Sequence, residues 1–492
     1  MNTKGLTEGL VIATFVLAAV LSVGTVGAED VTIGVLYPFS GDLGTYGKPV
    51  TDAMNLAVKE VNENGGVLGG RLKLLIKDTE TSEDEAVAKA HELLDWYNVS
   101  VIIGTAGSET CKAIIGYTTS NGVLQISPSV TGVEFTTYPD NDLFFRTCPS
   151  DALQGIAMAR LAIQQGYKTA STLVVWNPYG VGFEKAFTKE FKTLGGKVLE
   201  SVKYDPDTTT FKSEVEQVAA VNPDCVMLCA YPETCSGMLK TAYKNGYMDS
   251  IDWLLSEALK SDNLADMVGK DEAGNYVIAG LKGTTPDPRN HAYDIFKQKY
   301  IAEYGKEPEA YCANSYDAVA VVALAIERAG DASGTAIRDS LRAVANPPGD
   351  RSVSDIGVAL DTIRKGLYSI NYQGASGEIT FDEHGDVIGS FCEWSITDNG
   401  RVVYGNPIEL KGPIVPSTPS PKPTVVETPT PTVVETPEPT VAETPTPTVV
   451  ETPEPTVAET PTPTPPGFEV VFAITSLLAV AYSVWRRKKS VK

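Results

Sequence analysis

Val101-Ile102-Ile103-Gly104-Thr105-Ala106-Gly107-Ser108-Glu109 is the stretch on which the fold turns. Val101–Ile103 reads as a short buried strand. Small residues follow, and Glu109–Ser120 reads as a helix. The next apolar run, Leu124–Ile126, is again a strand and ends in Ser127-Pro128-Ser129-Val130-Thr131. A strand, a helix and a second strand in this order predict a parallel sheet covered by helices. Upstream the pattern repeats. Val31–Tyr37 is a strand, Pro49–Glu63 a helix stopped by Asn64-Gly65-Gly66, Leu72–Asp78 a strand and Ser82–Trp96 a helix.

A second series starts after Pro149. Helices are expected at Asp151–Gln165, Val181–Leu194, Phe211–Ala220 and Thr234–Asn245. Strands are expected at Thr172–Trp176, Val198–Tyr204, Cys225–Cys229 and Trp253–Leu255. The fold class is therefore α/β, with two doubly wound lobes. Ligands in such sheets bind beyond the carboxyl ends of the strands, so two facing lobes enclose a cleft.

Composition divides the rest of the chain. It has 492 residues, 40 Lys+Arg against 62 Asp+Glu, and a formal charge of −22, of which −20 falls on residues 29–412. Nucleic acid and anionic lipid need basic patches, so an acidic body argues against both. Three widely spaced histidines, His91, His291 and His384, argue against a histidine metal site. Seven cysteines without a CxxC pair do not make a disulfide scaffold. Cys225, Cys229 and Cys235 cluster; one disulfide among them and free core thiols are both open readings.

Residues 1–28 read as a secretory signal: Lys4, the apolar run Leu10–Val23, then Val26-Gly27-Ala28 as a cleavage site. An uncleaved anchor is the alternative. Of 32 prolines, 17 lie between Pro413 and Pro466. Pro423–Thr462 holds five copies of an eight-residue unit, Pro-Thr-Val-(Val/Ala)-Glu-Thr-Pro-(Thr/Glu). Proline at that density blocks helix and sheet, so residues 412–466 are expected to form a disordered, extended stalk reaching at most roughly 165 Å. Val470–Trp485 is apolar, and Arg486-Arg487-Lys488-Lys489 follow. Basic residues stay inside, which places the preceding chain outside. Pro466-Gly467-Phe468 ahead of this segment resembles the archaeal PGF-type sorting signal. The resemblance implies a surface protein whose tail, 467–492, is removed by an archaeosortase-type enzyme in exchange for lipid; a plain membrane anchor is the other reading.

No GxSxG elbow, P-loop or HExxH is present, so no catalytic residue, cofactor or metal is expected. Seven segments in order instead match one family. They are Phe39-Ser40-Gly41 with Tyr46-Gly47, Ile102–Ser108, Ile126–Thr131, Trp176–Gly180, Cys229–Glu233, Ser256-Glu257 and Phe381–Asp386. From about Val31 to Tyr404 the chain resembles the type I periplasmic solute-binding proteins of ABC importers, especially the leucine/isoleucine/valine-binding branch. That resemblance implies two lobes joined by three hinge crossings, near Thr147–Pro149, Leu281–Thr285 and Ser376–Glu378. Lobe I is expected over 29–147 and 285–377, and lobe II over 148–284 and 378–411.

The chemistry can be read beside the resemblance. A free α-amino acid is a zwitterion, whose carboxylate needs donors and whose ammonium needs an anion. Ser108 precedes a predicted helix N-terminus, where exposed N–H groups favour a carboxylate. Taken alone, Ser108 reads equally as a helix cap, and Ser129 and Thr131 as turn residues. The resemblance implies that Ser108 and Thr131 bind the carboxylate, that Ser129 contacts the ligand through its backbone, and that Glu257 binds the ammonium. It implies that Tyr231 contacts the amino-acid head and that Tyr46 and Tyr179 wall the pocket. Ala106 and Gly107 are smaller than the family's residues there, and Tyr311 replaces a phenylalanine. These three candidate side-chain-pocket positions predict a roomier or more polar pocket.

Ligand would bridge the lobes, close them and present the closed form to a membrane permease with its ATPase. A sensing receptor module, a binder of amides, urea or short peptides, and a stalked adhesive protein are the alternatives. Asn98-Val99-Ser100 is a sequon, open to an N-glycan.

Overall fold

The computed structural model describes residues 29–366, 369–412 and 414. The leader 1–28, the stalk from residue 415 onward and the Pro466-Gly467-Phe468 signal lie outside the described residues. Among the described residues no helix is long and apolar enough to cross a membrane.

The first sheet contains β1 (Val31–Tyr37), β2 (Leu72–Asp78), β3 (Val101–Gly104), β4 (Leu124–Ser127) and β5 (Phe144–Arg146). Its order is β2-β1-β3-β4-β5 and every pairing is parallel. β3 and β4 are buried at every position, as central strands covered on both faces must be. The strands are short and apolar because alternation would put polar groups under a helix. Gly104 closes β3 in a left-handed conformation (φ +131°), and a Cβ there would stand 2.1 Å from the Leu36 carbonyl oxygen. Only glycine lets the chain turn out of the sheet at that point.

The second sheet begins with β6 (Thr169–Val175), β7 (Lys197–Tyr204), β8 (Cys225–Cys229), β9 (Asp252–Leu255) and β10 (Lys282–Pro286). A small sheet of β11 (Ser352–Val353), β12 (Asn371–Gly374) and β13 (Gly377–Glu378) follows. The chain then returns to the second sheet as β14 (Phe391–Ile396) and β15 (Val402–Ile408), giving the order β15-β14-β10-β9-β8-β6-β7. β14 runs antiparallel to β10 and β15 antiparallel to β14, so β15 points the same way as the first five strands.

Three expectations shift. The first helix spans Gly44–Glu63, so Pro49 lies within it and Tyr46 sits on its first turn. Proline's fixed φ is helical, and reading it as the helix start loses the turn ahead of it. Thr285, expected in the first lobe, belongs to β10, because β14 pairs beside it and extends the strand to Pro286. Glu378, expected in the second lobe, pairs with Gln373 in the small sheet. All seven cysteines are buried free thiols, which settles the Cys225, Cys229 and Cys235 cluster.

Arg146, at the end of β5, is fully buried. Its guanidinium meets Asp386 in a two-pronged pair, Nε–Oδ1 2.7 Å and Nη2–Oδ2 2.6 Å. Nη1 also donates to the carbonyls of Val130 (3.3 Å) and Gly132 (2.9 Å), on either side of Thr131. One buried ion pair thus holds the loop after β4 against the late segment Phe381–Val387. Removing one partner of such a pair strands the other charge. Asp386→Ala should cost about 3–5 kcal/mol of unfolding free energy by urea titration. The double change Arg146→Leu/Asp386→Leu should cost less than Asp386→Ala alone.

Candidate functional site

The two sheets meet around a small cavity of about 30 Å³. Tyr46, Ala106, Gly107, Ser108, Ser129, Thr131, Tyr179, Tyr231, Glu257 and Tyr311 all line it, joined by Tyr37, Leu43 and Ala258. The structure therefore gathers every pocket residue singled out in the sequence. Asn98 lies elsewhere, in the turn that leads into β3.

One rim is built from the loops after β3 and β4. Ser108 is the first residue of the helix Ser108–Ser120. Its hydroxyl oxygen accepts from the Gly132 N–H at 3.1 Å, which leaves the hydroxyl hydrogen free to donate. Ser127 holds the next loop: its hydroxyl accepts from the N–H groups of Ser129 (3.2 Å) and Val130 (3.0 Å). The Ser129 N–H is thereby engaged, and its carbonyl has no partner among the described residues. Ser129 Oγ donates to the Ala106 carbonyl (3.2 Å) and contacts the Tyr37 hydroxyl (2.9 Å).

The opposite rim is acidic. Glu257 follows β9 and is 1% exposed. Its Oε1 accepts from the Tyr311 hydroxyl at 3.1 Å and its Oε2 from Gln154 Nε2 at 2.6 Å. The Tyr179 hydroxyl lies near enough to favour the carboxylate, yet makes no bond of hydrogen-bond geometry. Burial outweighs these donors and pushes Glu257 up to about 7. Asp151 opens the helix Asp151–Gln164 and is wholly buried. Its N–H donates to the Thr131 carbonyl at 2.9 Å, and the Thr131 hydroxyl lies near enough to favour its carboxylate, though neither carboxylate oxygen has a partner of hydrogen-bond geometry. Burial first, then repulsion from Glu257, pushes Asp151 well above the usual carboxylate range. No lysine or arginine lines the cavity, and Arg146 is committed to Asp386.

The cleft is closed. Tyr46 donates to the Ala258 carbonyl across it at 2.7 Å. Glu109 Oε2 accepts from Asn177 Nδ2 (3.0 Å) and from the Tyr231 hydroxyl (2.9 Å), which belong to the other side. Tyr179 and Tyr231 stack with centroids 5.9 Å apart. Sequence reasoning missed Asp151, Gln154 and Glu109. An acid in the first turn of a helix is ordinary, so Asp151 and Glu109 gave no signal. Ser150 already caps its helix, through a bond from the Ala152 N–H (3.3 Å), and that leaves Asp151 without a capping duty.

A two-lobed α/β protein with a closed interlobe cavity, a hydroxyl-lined rim and an uncompensated acidic rim is a solute-binding protein. The chain belongs to the periplasmic binding protein family, whose sequence profile matches residues 30–387. A PGF-CTERM motif matches residues 466–488. A chemotactic signal transduction system substrate-binding protein, BasB, of Halobacterium salinarum is 28% identical over 382 residues, 76% of this chain and 88% of the relative. Leu/Ile/Val-binding protein homolog 1 of Brucella melitensis is 27% identical over 318 residues, 64% of this chain and 82% of the relative. Among solved structures, the leucine-binding protein LivK of Thermotoga maritima has a TM-score of 0.66 at 27% identity, covering 77% of this chain and 98% of its own. The isoleucine complex of LivJ from Streptococcus pneumoniae has a TM-score of 0.63 at 21% identity, covering 77% of this chain and all of its own, and shares the fold.

Burial also raises Glu109 to about 7. A carboxyl group raised from 4.5 to about 7 makes the folded protein bind more protons than the unfolded chain between those pH values. Stability then falls as pH rises through that window. The ligand-free protein should melt at lower temperature at pH 8 than at pH 5 by differential scanning calorimetry. Glu109→Gln should flatten this dependence.

Proposed function

We propose that the protein captures a free α-amino acid in this cleft and delivers it to a membrane importer. The observation that carries the reading is Glu257, a buried carboxylate lining a cavity with no cation of its own, with Asp151 buried close enough behind it to repel it. Buried charge needs a partner, and an ammonium group supplies one. Glu257 and Asp151 would take the ammonium, with the Ser129 carbonyl as a further acceptor. Ser108 and Thr131 would donate their hydroxyls to the carboxylate at the helix N-terminus. Tyr231 would contact the head group, Tyr46 and Tyr179 would wall it, and Ala106, Gly107 and Tyr311 would surround the side chain. The relatives named for leucine, isoleucine and valine support a branched-chain or similar amino acid.

The ligand binds one rim from each lobe, so it stabilises the closed form over the open one. We place the lobe boundaries where the chain changes sheets, after Arg146, after Pro286 and between Glu378 and Phe391. The closed form would dock on an ABC permease with its ATPase. The BasB relative favours a second reading, in which the closed form reports ligand to a chemotaxis receptor. The PGF-CTERM motif supports a location on the outer face of the membrane, anchored at the C-terminus by lipid after archaeosortase-type processing or by a helix. The repeats of Pro423–Thr462 would space the body from that anchor. No chemistry is assigned to the site: its groups bind and enclose.

Calorimetric titration of refolded, ligand-stripped protein should find one group of amino acids bound at micromolar or tighter affinity. Glu257→Gln should weaken that binding about 100-fold, the cost of leaving a buried ammonium short of its anion. No amino acid bound, or full affinity in Glu257→Gln, would remove the reading. An ammonium beside Glu257 and Asp151 favours their charged forms, so binding at pH 6 should release about one proton. Titration in buffers of different ionisation enthalpy reads that release. Loss of amino-acid uptake in a deletion strain separates import from sensing, which predicts lost chemotaxis with uptake intact.

A further inference from the structure

Asn98-Val99-Ser100 is the only Asn-X-Ser/Thr triplet in the chain, and X is not proline. The chain enters it from the turn Glu92–Trp96 and leaves directly into β3. Asn98 has a left-handed backbone (φ +50°), which asparagine tolerates better than most residues. Val99, 5% exposed, is packed in a cluster with Leu36, Leu93 and Ile102, so the triplet is pinned at its centre. Asn98 itself is exposed, and its side-chain amide has no hydrogen-bond partner among the described residues.

The surroundings add a second observation. Trp96 is 79% exposed, the most exposed large apolar side chain among the described residues, and Tyr97 is 51% exposed. Lys77 covers one face of Tyr97, with Nζ 5.0 Å from the ring centroid. Trp96 has no ring or cation contact among the described residues. Beside Asn98 an open groove runs past Asp30, Leu68 and Ala332. All of this sits at the amino end of β3, whereas the cavity lies at the carboxyl ends of the strands. A bulky group here leaves the cleft clear.

We propose that Asn98 carries an N-linked glycan whose first sugar packs on Trp96. The inference rests on the outward placement of the body argued above. The co-reactant is an oligosaccharide carried on a lipid phosphate. Asn98 Nδ2 bonds to the anomeric carbon of the first sugar, the bond from that carbon to the phosphate oxygen breaks, and the amide loses one proton. The lipid phosphate leaves with the bonding electrons, and no redox change occurs. The apolar C–H face of a pyranose on the indole removes surface that Trp96 otherwise exposes.

The test is mass spectrometry on full-length protein from its native cells. Trypsin cuts after Lys89 and Lys112, and Asn98 is the sole asparagine of the fragment between them. The fragment should carry a saccharide mass that is absent in Ser100→Ala. In hydroxyl-radical footprinting, Trp96 should be oxidised about twofold more slowly in the glycosylated protein than in Ser100→Ala, because the sugar covers the indole. An unmodified wild-type fragment overturns the proposal, as does a modification that persists in Ser100→Ala. Equal oxidation of Trp96 in the two proteins overturns the role of the indole. Amino-acid titration of the same preparations verifies folding and reads the cleft separately, so either reading can fail alone.

Discussion

Two carboxylates buried without an ion-pair partner of their own govern this structure. Water normally solvates Asp and Glu, and removing it raises the free energy of the charged form. Glu257 keeps two donors, Tyr311 and Gln154, while Asp151 has only the Thr131 hydroxyl nearby, short of hydrogen-bond geometry. Each also repels the other. Such an arrangement is a poor stability device and a good receptor. Under the proposed function, a positive group entering the cleft would recover that free energy.

Closure follows from where the two rims are mounted. The hydroxyl rim stands on loops after β3 and β4, and the acidic rim on the turn after β9 and on the helix that starts at Asp151. Tyr46, Tyr311 and Glu109 reach across and bond to the other side. These contacts exist only when the sheets are together, so they add to what a ligand contributes. Arg146 and Asp386 act one layer deeper. They fix the loop that carries Thr131 to the segment by which the chain returns to the second sheet. A loop pinned at a crossing would keep its geometry through the lobe movement that the proposed function requires.

The fold was legible because buried parallel strands are short apolar runs and the helices between them are amphipathic. The pocket residues were legible because they fall just after such runs, at Ser108, Ser129 and Thr131, where a strand must end in exposed polar groups. Residues whose ordinary role hides their special one were harder to see. Asp151 looks like a helix-start acid, and only its burial beside Glu257 shows otherwise. Gln154 occupies an unremarkable helical position one turn later. Thr285 falls in β10 because β14, more than 100 residues on, pairs with it. No local pattern announces that partner. Pro49 hid the first turn of its helix, and with it the helical placement of Tyr46.

The central claim is that the cleft recognises an ammonium group. Competition calorimetry with a bound amino acid and its N-acetyl derivative tests this most directly, since the two differ at the nitrogen and share carboxylate and side chain. The account predicts that acetylation abolishes measurable binding, because it removes the charge and presents an amide to two buried acids. Equal affinity for the two compounds would contradict it.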